Sequence, residues 1–377
     1  MNISPEIIMT SEQLKGLVAR LEKEPVLAFD LEADSMHHYT EKVCLIQVSG
    51  STETALLDPL ACDELALLAP LLASPKILKV MHGADYDIRS LHRDFGIEIV
   101  NLFDTMIAAQ FLGEPEIGLA ALLRKRFGVE LDKKYQKADW SKRPLDAGMI
   151  EYAARDTAYL IELYRQMAGE LHALGRYEWV AEECAILCGV RSAEREDGPL
   201  FLRFKGTAGL SPRALAVLEE VLRLRDAEAR RLDIPSFKIL GTDTVRGIAE
   251  RLPTDMDHLK EVPGLSSRLV QRYGKGIIDA VSRGLAKKDE ELPQVPRRER
   301  IKRDAHEEKR LKMLKEWREK KAAALGIAPG VIANNALLEK VAAVCPRDQQ
   351  ILTEIEGFKR WHLNELGAGM LEAVRGS

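Results

Sequence analysis

Cysteine is scarce and scattered in this 377-residue chain. Its five thiols (Cys44, Cys62, Cys184, Cys188 and Cys345) are odd in number, which argues against a disulfide framework and for a reducing compartment. Cys184 and Cys188 lie four apart with no second pair to complete a zinc site. Long apolar runs are missing too. A stretch such as Leu65–Ala73 (LALLAPLLA) is far short of the roughly 20 residues that cross a bilayer. No basic-then-apolar leader opens the chain, so neither secretion nor a membrane partner is expected, and two lean repeats without long tails suggest a bacterial cytoplasm. Aromatics amount to only 6%, but 46% hydrophobic and 30% charged residues describe an ordinary globular composition, long enough for two or three domains.

Charge of either sign is nearly balanced over the whole chain, at −4, and unbalanced along it. Residues 1–200 carry 21 Lys+Arg and 33 Asp+Glu, a balance of −12, which leaves the remainder at +8. An acidic front joined to a basic back suggests an acidic site fed by something that grips a polyanion, and compositional drift between domains accounts for it equally.

Strand signals fall at Val26–Glu32, Val43–Val48, Thr54–Leu57 and Ile77–Met81, with helical patterns at Asp85–Phe95, Thr105–Leu112, Gly118–Phe127 and Asp146–Leu174. This predicts an α/β domain over residues 1–200. Charge, proline and glycine mark Glu194–Gly209 as a linker. Beyond it strand signals nearly vanish and a gapless 93-residue repeat appears. Leu232-Asp233-Ile234 matches Leu325-Gly326-Ile327, and Gly274–Val281 matches Gly367–Val374. Apolar and glycine positions recur while surface residues differ, which predicts two copies of one all-helical domain, at 210–288 and 301–377. They read as separate globules joined through Lys287–Arg300.

The chemistry-bearing residues are acidic. Asp30 and Glu32, two apart on a strand, project from one face of an apolar segment, where a divalent cation would offset their burial. Asp87 follows Tyr86 just after a strand end, and Asp156 lies one helical turn after Tyr152. Each fragment alone is common; their order is much rarer.

FDLE, HGADYD and YAARD together resemble the three motifs of the DEDD 3′–5′ exonucleases, in the subgroup with tyrosine in the third motif. FDTMIAAQFLG and ADWSKRPL (Ala138–Leu145) are similar to ribonuclease D and its relatives, and the duplicated unit resembles the HRDC domain. The resemblance implies a ribonuclease H-like α/β fold with a mixed sheet flanked by helices, followed by two small all-α domains. It implies that Asp30, Glu32, Asp87 and Asp156 bind two divalent ions, Mg²⁺ or Mn²⁺, with Tyr152 orienting the attacking water. It further implies removal of 5′-mononucleotides from RNA with a free 3′ end, tRNA precursors above all. DLEADSMHHY stands where many ribonuclease D sequences carry DTEF, which bears on substrate preference. A DNA exonuclease uses the same metal cage, and a silent RNA-binding scaffold is the alternative outside enzymes.

Asp85 and Asp104 read as helix caps and His37 and His38 as loop residues; His82 fits a substrate contact or a core histidine equally. Arg124-Lys125-Arg126 and Lys133–Arg143, with Lys142 and Arg143, are expected to line a phosphate track in which Tyr135 and Trp140 stack on bases, Trp140 being also a candidate for core packing. The run Arg297–Lys321 holds 12 Lys+Arg against 6 Asp+Glu and suggests an exposed helix, a weak phosphate grip or, less favoured, an import signal. The helical copies then serve as tethers that raise local substrate concentration, or instead as protein-docking modules or simple stabilising neighbours.

Overall fold

The computed structural model describes residues 5–132, 134–192, 198–294 and 304–375. Lys133, part of the linker (193–197), the end of the inter-repeat joint and the start of the basic run (295–303) lie outside the described residues. Strands β1 (Glu6–Ile8), β2 (Val26–Ala33), β3 (Val43–Ser49), β4 (Thr54–Leu57), β5 (Leu78–Met81) and β6 (Leu102–Asp104) form one mixed sheet in the order β1-β4-β3-β2-β5-β6. β2 pairs antiparallel with β3 and parallel with β5. β3 is buried along its whole length, as its apolar sequence VCLIQVS requires. Helices α1 (Ser11–Leu21), α2 (Ala69–Leu72), α3 (Asp85–Phe95), α4 (Thr105–Leu112), α5 (Leu119–Phe127), α6 (Ala147–Ala158), α7 (Leu160–Ala173) and α8 (Tyr177–Leu187) accompany this sheet. β1 and β6, of three residues each, are too short for a periodicity signal, and α1 and α8 were not foreseen. The single helix expected over Asp146–Leu174 breaks at Tyr159 (φ −105°, ψ −6°) without glycine or proline to announce it.

The first helical copy is α9 (Pro212–Leu232), α10 (Thr242–Arg251), α11 (Met256–Lys260) and α12 (Ser267–Ala286). The second is α13 (Ala305–Leu325), α14 (Pro329–Ile332), α15 (Asn335–Val344), α16 (Gln349–Thr353) and α17 (Arg360–Arg375). Each main helix of the second copy starts 93 residues after its counterpart. Left-handed backbone recurs at the same offset, at Asp233 and Gly326, Leu252 and Cys345, and Gly264 and Gly357.

By contact the chain divides into two units. One holds the described residues of 1–33, 43–192 and 301–377; the other holds 34–42 and those of 193–300. The second helical copy, expected as a separate globule, thus shares a unit with the sheet. The Trp361 indole of α17 stacks on Trp179 of α8 (5.1 Å, 16°) and meets Phe111 of α4 edge-on. Glu182 accepts from the amides of Arg360 and Trp361 (2.8 and 2.9 Å), capping α17 from another helix, and Glu183 accepts from the indole Nε1 (2.9 Å). Gly113 (φ +77°) permits the approach of the Gly326 carbonyl, which an added Cβ would meet at 2.0 Å.

Candidate active site

Asp30 and Glu32 sit on β2 opposite Gln47 and Leu45 of β3, and their alternation with the core residues Phe29 and Leu31 turns both carboxylates to the face that carries α6. Tyr152 and Asp156 come from α6, whose N-cap is Asp146 and whose far end is tied to β3 by a buried Ser49–Thr157 hydroxyl contact of 2.7 Å. Carboxylate oxygens of Asp30, Glu32 and Asp156 lie within 4.8 Å of one another. Asp87, 7% exposed on the first turn of α3, stands outside that trio and close enough for its charge to act on Glu32 and feel that of Asp30. A cavity of about 420 Å³ opens beside them, lined among others by Asp30, His82, Asp132, Gln136, Tyr152 and Asp156.

So many acids in one buried place repel. Burial pushes Asp30 up to about 7 and, with the Asp30 charge, Asp156 up to about 8; burial together with the other three acids pushes Glu32 up to about 10, and Asp87 is raised as well. Burial also raises the Tyr152 phenol, which is hydrogen-bonded to Asp156, so it stays a neutral donor. An all-oxygen donor set with unneutralised charge fits hard divalent cations. Because the folded chain holds protons that the unfolded chain releases above about pH 4, its metal-free stability must fall as pH rises toward 8 and beyond. Thermal melts in EDTA are therefore expected to drop from pH 5.5 to 8.5, with Mn²⁺ reversing the loss most at the alkaline end. A flat or rising metal-free profile would contradict the crowding.

Other expectations are redistributed. Asp85 is not the cap of α3: Ala84 holds that position, and Asp85 pairs with Arg89 at 2.8 Å. Asp104 caps α4 as expected and does more, accepting from the amides of Gly83 and Ala84 (3.0 and 2.8 Å) and so fixing the left-handed turn at Gly83 that launches Asp87. His82 lines the cavity with Nδ1 2.9 Å from the Thr105 hydroxyl. His38 bonds Asp233 from a loop, consistent with a loop role.

The phosphate track is corrected at three places. Trp140 is 1% exposed and packs near Tyr152 (6.0 Å), so it cannot stack on a base and is a core residue. Arg143 spends its guanidinium on Asp58 and on the carbonyls of Cys44 and Trp140, all at 2.5–2.7 Å, leaving it bound internally. Arg126 is held between Glu114 and Glu170, and Lys125 and Arg124 also meet glutamates. Lys142 is exposed, at 76%, with only a loose 3.8 Å contact to Asp139.

Gln47 was missed. It is fully buried across from Asp30, and neither amide atom has a partner among the described residues. One amide inside the apolar run VCLIQVS was the available signal.

Comparison with known proteins bears on this site. A family profile described as 3′-5′ exonuclease matches residues 5–172, and the HRDC domain profile matches 214–281 and 307–374. The chain is 33% identical over 293 residues to a ribonuclease D of Gluconacetobacter diazotrophicus, covering 77% of this chain and 74% of that protein. It is 30% identical over 361 residues to a ribonuclease D of Granulibacter bethesdensis, covering 95% and 90%. Its fold matches the crystal structure of Escherichia coli RNase D with a TM-score of 0.72 at 22% identity over 99% of both chains. The chain belongs to the ribonuclease D family of 3′–5′ exoribonucleases.

Proposed function

We propose that this exoribonuclease hydrolyses the terminal phosphodiester of RNA with a free 3′ end, releasing 5′-mononucleotides one at a time, with tRNA precursors as its main substrates in a bacterial cytoplasm. The observation that carries the reading is the convergence of Asp30, Glu32 and Asp156, from strand and helix, to within 4.8 Å beside a 420 Å³ cavity. The relatives matched in Gluconacetobacter and Granulibacter are named ribonuclease D, and no described helix is long and apolar enough to cross a membrane.

Asp30, Glu32, Asp87 and Asp156 would hold two divalent ions, Mg²⁺ or Mn²⁺. When bound, such ions supply Lewis acidity toward water and the departing 3′ oxygen. The chain's own residues do the placing. Tyr152 is a neutral phenol beside Asp156, suited to hydrogen-bond and orient the attacking water rather than to take its proton. Gly118, Leu119 and Ala120 at the start of α5 line the cavity without a side-chain cap, so their end of the helix offers backbone amides to a substrate phosphate. His82, which lines the cavity beside Thr105, would touch the terminal nucleotide.

The test uses 5′-labelled single-stranded RNA and DNA of the same sequence, with Mg²⁺ or EDTA. Stepwise RNA shortening that EDTA abolishes is the expected outcome. Degradation of DNA alone would assign the site to DNA, and binding without shortening would leave a scaffold.

A further inference from the structure

The first helical copy contains a cavity that the hydrolytic reading does not use. It measures about 430 Å³ and is lined by the turn Leu200–Lys205, by Leu222, Arg225 and Asp226 of α9, and by Ser236 and Thr242. Three cations meet there: Arg203, Lys205 and Arg225. Arg203 and Lys205 are exposed, and neither side chain has an acceptor among the described residues. Arg225 is half-buried beside the Phe204 ring (5.9 Å), and its Nε is buried without a partner among the described residues.

This is unusual within the same domain. Arg223, Arg230 and Arg231 on the same helix each pair with an acid one turn away. The lining's one acid, Asp226, is already engaged by the Tyr39 hydroxyl (2.7 Å) and Arg230 (3.5 Å). The internal repeat supplies a control. Arg318 stands 93 residues after Arg225, and although its Nε also lacks an acceptor, its NH1 donates to the Ala333 carbonyl and to Asn335 Oδ1, both at 3.0 Å. In the first copy these positions are Leu240 and Thr242, and Arg225 bonds neither. The second copy closes its arginine onto itself; the first leaves it open toward a cavity.

A half-buried guanidinium that feels only the already engaged Asp226 and whose Nε finds no acceptor, flanked by two cations without acceptors among the described residues, calls for an anion that arrives from outside. The volume exceeds that of inorganic phosphate, and Leu200, Leu222 and the Phe204 edge form an apolar wall fit for a sugar or base. We infer that this cavity is a nucleotide-phosphate site, in which Arg203, Lys205 and Arg225 grip a phosphate of the RNA strand or of a released mononucleotide. The choice of RNA rests on the function proposed above; the anion site itself does not.

The test measures anisotropy of a 5′-fluorescein 12-nucleotide single-stranded RNA, using the full chain with Asp30→Asn in EDTA. Arg225→Gln, and separately Arg203→Gln with Lys205→Gln, are expected to raise Kd at least about fivefold and to lower the slope of log Kd against log salt by about 0.7 per cation removed. In the active chain the same changes should raise KM and leave kcat alone. The double variant alters only exposed residues, so it stands as a test even if Arg225→Gln misfolds. Unchanged Kd and salt slope in the double variant overturn the site. UMP that displaces the RNA from the parent site identifies free nucleotide as the ligand; failure to displace identifies the strand. Shortening of RNA by the parent chain is followed in parallel, so loss of the RNA reading is told apart from loss of the site; if DNA is the substrate, the same slopes are read with a DNA probe.

Discussion

Asp30→Asn is expected to slow RNA shortening by at least about 10³-fold, roughly 4 kcal/mol of barrier, while raising the thermal midpoint of the metal-free chain at pH 8. The two effects have one cause. Asp30 sits half-buried in a group of acids whose charges repel, so an uncharged isostere relieves the fold and weakens the cation site together. A residue that served only structure would lose stability when changed, so opposite signs in the two measurements identify a functional carboxylate. Tyr152→Phe should be milder, about 10- to 100-fold in kcat, because it removes one hydrogen bond and no charge. Full activity in that variant would remove the phenol from water orientation. Near-parent activity in Asp30→Asn would dismantle the site as described.

Trp361→Ala is expected to destabilise the unit containing the sheet by about 3–5 kcal/mol, read as a lower urea midpoint by far-UV circular dichroism on the full chain. The indole is 3% exposed, stacked on Trp179, and donates to Glu183; its removal opens a void between α4, α8 and α17. Trp361→Phe keeps one aromatic ring but loses the pyrrole part of the indole and its bond to a charged acceptor, the bond alone being worth about 1.5–3 kcal/mol. The tether reading predicts a different result, in which truncating the second copy weakens RNA binding and spares the rest. An unchanged urea midpoint in Trp361→Ala would remove the stabilising role of the second copy.

Much of the site is legible along the chain because its determinants are local. Period-two alternation places Asp30 and Glu32 on one face whatever the sheet becomes, and a four-residue spacing puts Tyr152 beside Asp156 on any helix. The 93-residue offset is visible for the same reason, since caps and left-handed turns such as Asp233 and Gly326 obey nearest-neighbour rules.

What the chain cannot display is which polar group meets which partner across the fold. Arg143 looks like a phosphate ligand until Asp58, 85 residues away, claims it; Trp140 looks like a stacking platform until packing against Cys44 and Leu56 buries it. Gln47 gains its place only when β3 lies against β2, and Trp361 only when α17 meets α8. Arg225 and Arg318 hold equivalent positions in the repeat, yet Asn335 satisfies one and Thr242 leaves the other open. Sequence by itself determined which acids share a strand face or a helix turn, and the duplication, because periodicity and spacing act within one element. Tertiary structure decided which cations remain available to a substrate, because a long basic side chain takes whichever acceptor the fold brings within reach.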